Sequence, residues 1–175
     1  FSAVAVHSTF YRPASPQVSK GWAERTPPGF IFTAKAWQKF THPKMFADMA
    51  GQEPAPGQED YDAFKKGLDP LMEAGKFGCL LFQFPPSFKA DAPSREKLEG
   101  FLVRFREYPL AVELRHRSWS DREEEVRDVF DALGVAWACI DEPKFSTSIR
   151  QTLPPAGGRV YLRFHGRNAR KWWDK

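Results

Sequence analysis

Short apolar runs alternate along the chain with longer segments whose apolar residues recur at helical spacing. The runs are rich in β-branched and aromatic residues and apolar on both strand faces, as in a sheet covered on both sides. They predict strands at residues 2–7, 30–35, 78–84, 110–115, 135–141 and 159–165. The helical periodicity predicts helices near residues 19–25, 41–49, 60–74, 94–106 and 121–133. This alternation of strand and helix is typical of an α/β protein with a parallel sheet.

The number of strands narrows the fold further. A (β/α)8 barrel of the TIM type usually needs about 250 residues. About six βα units in 175 residues therefore fit a barrel fragment that lacks its first and last strands, and the start at Phe1 rather than Met agrees with this. No glycine-rich phosphate loop follows any predicted strand, which disfavours nucleotide-binding doubly wound folds. We expect residues 1–175 to form a single, incomplete domain of this type.

The composition is that of a soluble globular protein and argues against a membrane-spanning one. Hydrophobic residues make up 42% of the chain and charged residues 27%, which is ordinary for a soluble globular protein. The net charge of +4 permits an anionic ligand or nucleic acid but selects neither. Cys79 and Cys139 lie in apolar runs, so we expect reduced, buried thiols. No apolar run reaches the roughly 20 residues that span a bilayer, and no signal peptide is visible, so we expect a cytoplasmic protein without membrane contact.

Each predicted strand ends in a polar side chain on the same alternating face. These residues are His7, Lys35, Gln83, Glu113 with Arg115, Asp141, and Arg163 with His165. In a barrel the active site lies at the carboxyl ends of the strands, so the set predicts a functional pocket there. Each residue also has a purely structural interpretation: Glu113 and Arg115 could form a bracing ion pair, and the two histidines could lie hydrogen-bonded in the core.

The residue types suggest the chemistry of this pocket. Guanidinium and ammonium groups favour a small anionic or phosphorylated substrate. We expect an enzyme in which a carboxylate or histidine acts as general base, if its pKa is tuned toward working pH. The predicted catalytic residues are Glu113, His165 and Asp141. The predicted substrate-binding residues are Arg115, Arg163, Lys35, Gln83, His7 and Tyr11. The sequence indicates neither a cofactor nor an oligomeric state.

Two alternatives stay open at this point. The same basic pocket could belong to a non-enzymatic module that binds a nucleotide or nucleic acid, although the scattered Arg and Lys residues support this weakly. Alternatively, Glu113, Asp141 and His165 could bind a divalent metal for hydrolysis or isomerisation. The neighbouring cations oppose a metal site.

Several motifs, in order, resemble a known family. They are Ser-Thr-Phe-Tyr-Arg-Pro at 8–13, Thr-His-Pro at 41–43, Leu-Phe-Gln-Phe-Pro-Pro-Ser-Phe at 81–88, Val-Glu-Leu-Arg-His at 112–116 and Tyr-Leu-Arg-Phe-His-Gly-Arg at 161–167. Together they resemble the DUF72 family, also called YecE-like proteins, across essentially the whole chain. The resemblance implies a TIM-barrel fold, with a further strand before the first one here and a strand and helix after the last. It implies no established activity.

One position departs from the family pattern. The corresponding strand in the family commonly reads Val-Glu-x-Asn, whereas this chain has Val4, Ala5, Val6 and His7. Ala5 therefore stands where the family's acidic residue is expected. The resemblance implies that this chain differs from its relatives in substrate or has weaker activity.

Overall fold

The structure is a computed structural model that describes residues 2–51, 55–150 and 156–169. The chain divides into two compact units, Phe1–Phe82 and Gln83–Lys175. The single domain expected from the sequence stays a prediction. The sequence is rich in Gly and Pro at 50–59 and 142–158, which predicts a surface loop and an irregular segment, and both lie partly outside the described residues. Trp172 and Trp173, for which the sequence predicts packing rather than substrate contact, lie wholly outside them.

The first unit alternates strands and helices. Its strands are β1 (Ala3–Val6), β2 (Ile31–Lys35) and β3 (Phe77–Gln83), the last residue of which belongs to the second unit. Its α-helices are α1 (Pro16–Glu24), α2 (Gln38–Thr41), α3 (Pro43–Ala50) and α4 (Gln58–Glu73), and a 3-10 turn spans Ser8–Phe10. The strands pair in parallel in the order β1, β2, β3. Helix α1 packs against α4, and the core contains Phe40, Phe64, Leu68, Leu71 and Leu80.

The second unit also has parallel strands between helices. Its helices are α5 (Ala92–Arg104), α6 (Arg117–Ser120) and α7 (Glu123–Ala132). Its strands are β4 (Leu110–Glu113), β5 (Ala136–Trp137), β6 (Cys139–Asp141) and β7 (Leu162–Phe164). Strand β4 pairs in parallel with β5, and β6 pairs in parallel with β7. The predicted α/β fold with a parallel sheet is confirmed, while closure into a barrel stays a prediction.

Three sequence predictions about the strands need correction. The strand predicted at 135–141 is interrupted at Ala138, whose N–H donates to the carbonyl of Val112 at 2.8 Å. Strand β1 was expected to be buried, but Ala3, Val4 and Ala5 are exposed. In β7, Leu162 and Phe164 are 51% and 77% exposed. An apolar side chain is buried only where another element of the structure packs over it. Which element does so depends on distant parts of the chain.

The helix ends also differ from prediction. The helix expected at 41–49 begins earlier and is divided at His42, because the residue before a proline is disfavoured in helical backbone and Pro43 starts α3. Ser94, at the start of the segment predicted as helical, is a residue type that commonly caps helices, but here Asp91 is the cap and accepts the Ser94 N–H at 2.9 Å. Helix α4 continues through Pro70. None of the helices in the described ranges is long and apolar enough to cross a membrane.

Candidate functional site

Strand alternation in the second unit brings a set of charged side chains together. Glu113 is the last residue of β4, and Arg115 follows two residues later on the same side. Arg163 lies in the middle of β7, and His165 follows it in the same way. The N–H of Phe84 donates to the carbonyl of Glu113 at 3.0 Å, which brings the preceding residue, Gln83, beside β4. We call Gln83, Glu113, Arg115, Arg163 and His165 the arginine cluster.

A fully buried carboxylate holds the arginine cluster together. Glu113 has an exposed fraction of 0%. Its Oε1 accepts from Arg115, with Nε and Nη2 both 2.7 Å away, and its Oε2 accepts from Nη1 of Arg163 at 2.5 Å. The same Nη1 donates to Oε1 of Gln83 at 2.6 Å. Such charge-assisted hydrogen bonds are strong and directional, so both guanidinium planes have defined orientations.

His165 completes the cluster through one ring nitrogen. Its Nε2 lies 3.2 Å from Nη2 of Arg115 and 3.6 Å from Oε1 of Glu113. A guanidinium can only donate, so Nε2 accepts from Arg115 when it carries no proton and donates toward Glu113 when it does. His165 thus lies between Arg115 and Glu113.

The environment of Glu113 keeps it ionised. Burial raises the pKa of its carboxyl, but the neighbouring His165 ring and the charges of Arg115 and Arg163 outweigh burial and hold the pKa at about 2. A general base works best when its pKa lies near the working pH. Glu113 is therefore better suited to positioning the arginines than to accepting a proton.

A second buried carboxyl beside the cluster was missed by the sequence reasoning. Glu142 follows β6, is 6% exposed, and places Oε2 3.7 Å from Nη1 of Arg115. Burial raises its pKa, and the negative charge of Glu113 acts in the same direction, while Arg115, Lys144 and His165 oppose the rise. Position alone could have suggested Glu142, because it directly follows a predicted strand end, but nothing in its local sequence predicts burial.

Asp141, predicted to be catalytic, has a different partner. Its carboxylate accepts from Nε of Arg167 at 2.9 and 3.1 Å. A metal site made of Glu113, Asp141 and His165 needs donor atoms that are available to the ion. Here arginines bind both carboxylates, and no group of three His, Cys, Asp or Glu residues within the described ranges could hold a metal ion. This geometry gives the metal-assisted alternative no support.

Aromatic packing fixes the loops that carry the cluster. The ring of Phe88 stacks on Phe84 with centroids 4.1 Å apart and on Trp119 at 5.3 Å. Nε1 of Trp119 donates to the carbonyl of Phe88 at 2.8 Å. Trp119 is only 1% exposed, so its ring is packed in the interior. The loops after β3 and β4 are thereby tied to each other.

Comparison with known proteins identifies the family. The model of the family described as "Protein of unknown function DUF72" matches residues 1–175. The chain belongs to the DUF72 family. It is 30% identical over 177 residues to the UPF0759 protein YunF of Bacillus subtilis, covering 98% of this chain and 61% of YunF. The chain thus spans less than two thirds of the length of this curated relative.

Solved DUF72 structures agree with the fold. A DUF72 family protein from Thermotoga maritima is 32% identical and has a TM-score of 0.80, covering 100% of this chain and 64% of the other. A DUF72 family protein from Enterococcus faecalis is 23% identical and has a TM-score of 0.85, covering 98% of this chain and 68% of the other. At 23% identity, the likeness to the Enterococcus faecalis protein supports the fold alone.

The other predicted site residues of this DUF72 chain lie in the first unit. Lys35 places Nζ 4.2 Å from the ring centroid of Phe10, a cation–π contact. Tyr11 is 60% exposed, and its backbone carbonyl accepts from Nε1 of Trp37 at 3.1 Å. His7 is exposed and its carbonyl accepts from the N–H of Phe10 at 3.1 Å. The substrate-binding roles of Lys35, Tyr11 and His7 stay predictions.

Proposed function

We propose that this DUF72 chain recognises a small oxyanion, a phosphate or carboxylate group, at the arginine cluster, as the substrate-recognition centre of an enzyme. One observation carries the proposal: Arg115 and Arg163 share a single, fully buried carboxylate. When Glu142 is protonated, two cations thus face one ionised acid. A positive excess at partly exposed guanidinium groups favours an anionic ligand.

Unused donors support this function. Arg163 uses Nη1 for Gln83 and Glu113. Its Nε and Nη2 have no partner within the described ranges, and 17% of its side-chain surface is exposed. A guanidinium held on one edge and open on another can bind a second oxyanion in the planar, bidentate manner typical of arginine. Because Glu113 already orients the group, little conformational entropy is lost on binding.

Glu142 is the better candidate for moving a proton. Its raised pKa brings its titration closer to neutral pH than that of Glu113. It also lies within 3.7 Å of an arginine that would contact the anion. Protonated Glu142 leaves the cluster with its positive excess, whereas ionised Glu142 cancels it. Anion binding should therefore weaken as pH rises and Glu142 loses its proton. The proton-handling roles predicted for Glu113, His165 and Asp141 are secondary in this proposal.

Titration calorimetry with inorganic phosphate tests the recognition step. We expect Arg163→Gln to weaken phosphate binding by about 10- to 100-fold, because a hydrogen bond to a charged group contributes about 1.5–3 kcal/mol. Arg163→Lys keeps the charge but loses the planar fork, so its affinity should lie between those of the parent and Arg163→Gln. Circular dichroism melting shows whether each variant is folded at the temperature of the titration.

The matched control is Arg106→Gln, which removes an exposed charge from the same unit. Phosphate binding that is absent, or that Arg163→Gln and Arg106→Gln weaken equally, would contradict the proposal. Phosphorus NMR of phosphorylated sugars and nucleotides mixed with the protein separates the two functional classes. Conversion of one compound supports an enzyme, whereas binding without conversion supports the non-enzymatic module.

We also propose that the parallel strands belong to a (β/α)8 barrel of the TIM type. The alternation of strands and helices, the parallel pairing within each unit, and polar side chains at strand ends support it. A crystal structure of YunF tests the proposal: we expect a closed sheet of eight parallel strands, and an open sheet would contradict it. The cytoplasmic location stays a prediction.

A further inference from the structure

A cavity of about 370 Å³ lies in the first unit, apart in sequence from every member of the arginine cluster. Its lining includes Ser8, Arg12, Ala14, Ser15, Val18 and Trp22. Its volume falls within the range of about 300–1,000 Å³ typical of small-molecule pockets. The loop between β1 and α1 supplies one wall, and α1 itself supplies the other.

The loop wall of this cavity is firmly anchored. Thr9, which follows Ser8, is 1% exposed, and its hydroxyl donates to the carbonyl of Lys35 at 2.8 Å and accepts its N–H at 3.1 Å. Further along the loop, the backbone of Ala14 lies against Gly67 of α4 so closely that a Cβ on Gly67 would overlap it. The loop is therefore held at two points by buried contacts, so the cavity is formed before any ligand arrives.

The indole of Trp22 supplies an aromatic surface that is supported from behind by Phe32. It stacks on Phe32 with ring centroids 6.3 Å apart and an interplanar angle of 17°. Phe32 is 4% exposed and lies in β2, so it is a rigid support for one face of the indole. Trp22 is half-buried and lines the cavity, where its Nε1–H has no hydrogen-bond partner among the residues that the structure describes. An aromatic surface with an available donor suits a planar ring.

Arg12 supplies the charge. Its backbone N–H donates to the carbonyl of Ser8 at 3.4 Å, which places the residue on the cavity wall. Its guanidinium is exposed and makes no ion pair or hydrogen bond with any described residue. Ser15, by contrast, is already used: its Oγ caps α1 by accepting the N–H of Val18 at 3.3 Å. The guanidinium of Arg12, the hydroxyl of Ser8 and Nε1–H of Trp22 are the side-chain polar groups available to a ligand.

We propose that this cavity binds a planar aromatic ring that carries an oxyanion, with the ring against Trp22 and the phosphate or carboxylate on Arg12. Many heterocycles can stack on an aromatic side chain, so Trp22 selects for a planar ring without specifying which one. The guanidinium of Arg12 selects for an anionic group on that ring. The class includes nucleoside monophosphates and aromatic carboxylates. The site shares no residue with the arginine cluster, so it stands whether or not the function proposed for that cluster is correct.

NMR of the indole N–H groups tests the site with three probes: adenosine monophosphate, adenosine and inorganic phosphate. The chain has six tryptophans, and the Trp22 cross-peak is the one that Trp22→Phe removes. We expect adenosine monophosphate to shift this cross-peak at lower concentration than adenosine or phosphate alone. Arg12→Gln should weaken adenosine monophosphate binding by about tenfold and leave adenosine binding unchanged.

Arg25→Gln is the matched control, because it removes another exposed charge from the end of α1 without altering the cavity lining. If Trp22→Phe disturbs the fold, the methyl signals of Val18 report the same cavity in the parent and Arg12→Gln proteins. A Trp22 cross-peak that does not move with millimolar adenosine monophosphate would overturn the proposal. So would equal weakening by Arg12→Gln and Arg25→Gln.

Discussion

Replacing Glu113 by glutamine should lower the free energy of unfolding by about 3–5 kcal/mol, the usual effect of removing one partner from a buried ion pair. The amide cannot neutralise Arg115 and Arg163, whose side chains are only 14% and 17% exposed. Its NH2 group would also face a guanidinium donor. Urea denaturation followed by circular dichroism measures the change, with an unaltered m-value indicating that the unfolded state is unaffected.

The control for this variant is Glu96→Gln on the exposed surface of α5. Surface substitutions of this kind usually change stability by less than about 0.5 kcal/mol. If Glu113→Gln and Glu96→Gln were equally stable, the carboxylate would not organise the cluster. The idea that Glu113 positions Arg115 and Arg163 for an anion would then fail with it.

The pH dependence of the same variants has a defined sign. The pKa of Glu113 falls from an ordinary 4.5 to about 2 in the folded protein. Its contribution to stability is therefore complete above pH 4.5 and is lost as pH falls through about 2. The stability difference between the parent and Glu113→Gln should shrink over that window.

Glu142 should behave in the opposite way. Its pKa is raised by burial, so ionising it costs stability as pH rises above the ordinary 4.5. Compared with the parent, Glu142→Gln should therefore become relatively more stable as pH rises. Unfolding curves at a series of pH values check both signs, and parallel curves for Glu113→Gln and Glu142→Gln would contradict the assignment.

Replacing Gly67 by alanine should destabilise the protein by about 1–3 kcal/mol or more, as inserting atoms into a packed region does. A Cβ at Gly67 would overlap the carbonyl oxygen of Ala14, and backbone cannot move aside as a flexible side chain can. Either α4 or the loop before α1 must shift. The midpoint of thermal unfolding measures the loss.

The same substitution in α5 should have the opposite effect. A Cβ on Gly100 meets no atom within 4 Å. Glycine within a helix costs about 0.5–1 kcal/mol relative to alanine, so Gly100→Ala should raise the melting temperature. Equal effects of Gly67→Ala and Gly100→Ala would show that α4 does not depend on the close approach to Ala14.

Strand alternation made much of the arginine cluster predictable. Residues two apart on a strand share a face, so Glu113 and Arg115 could be placed together from sequence, as could Arg163 and His165. The expectation that strand-end residues meet holds for Gln83, Glu113 and Arg163, because Arg163 donates hydrogen bonds to both of the others. The partners of Asp141, by contrast, could not be predicted, because Arg167 competes for it from the following loop.

The sequence by itself determined the order of strands and helices, their parallel pairing and the pairs of polar residues on each strand. These follow from local covalent geometry and the period of the apolar positions. Only the tertiary structure decided that Glu142 is buried, that β1 is exposed, and that Glu113 is a poor proton acceptor. Burial and pKa depend on which distant segments cover a side chain and which charges they bring. Arg163 lies fifty residues from Glu113 in the chain, yet its guanidinium contacts the Glu113 carboxylate and supplies a positive charge beside it.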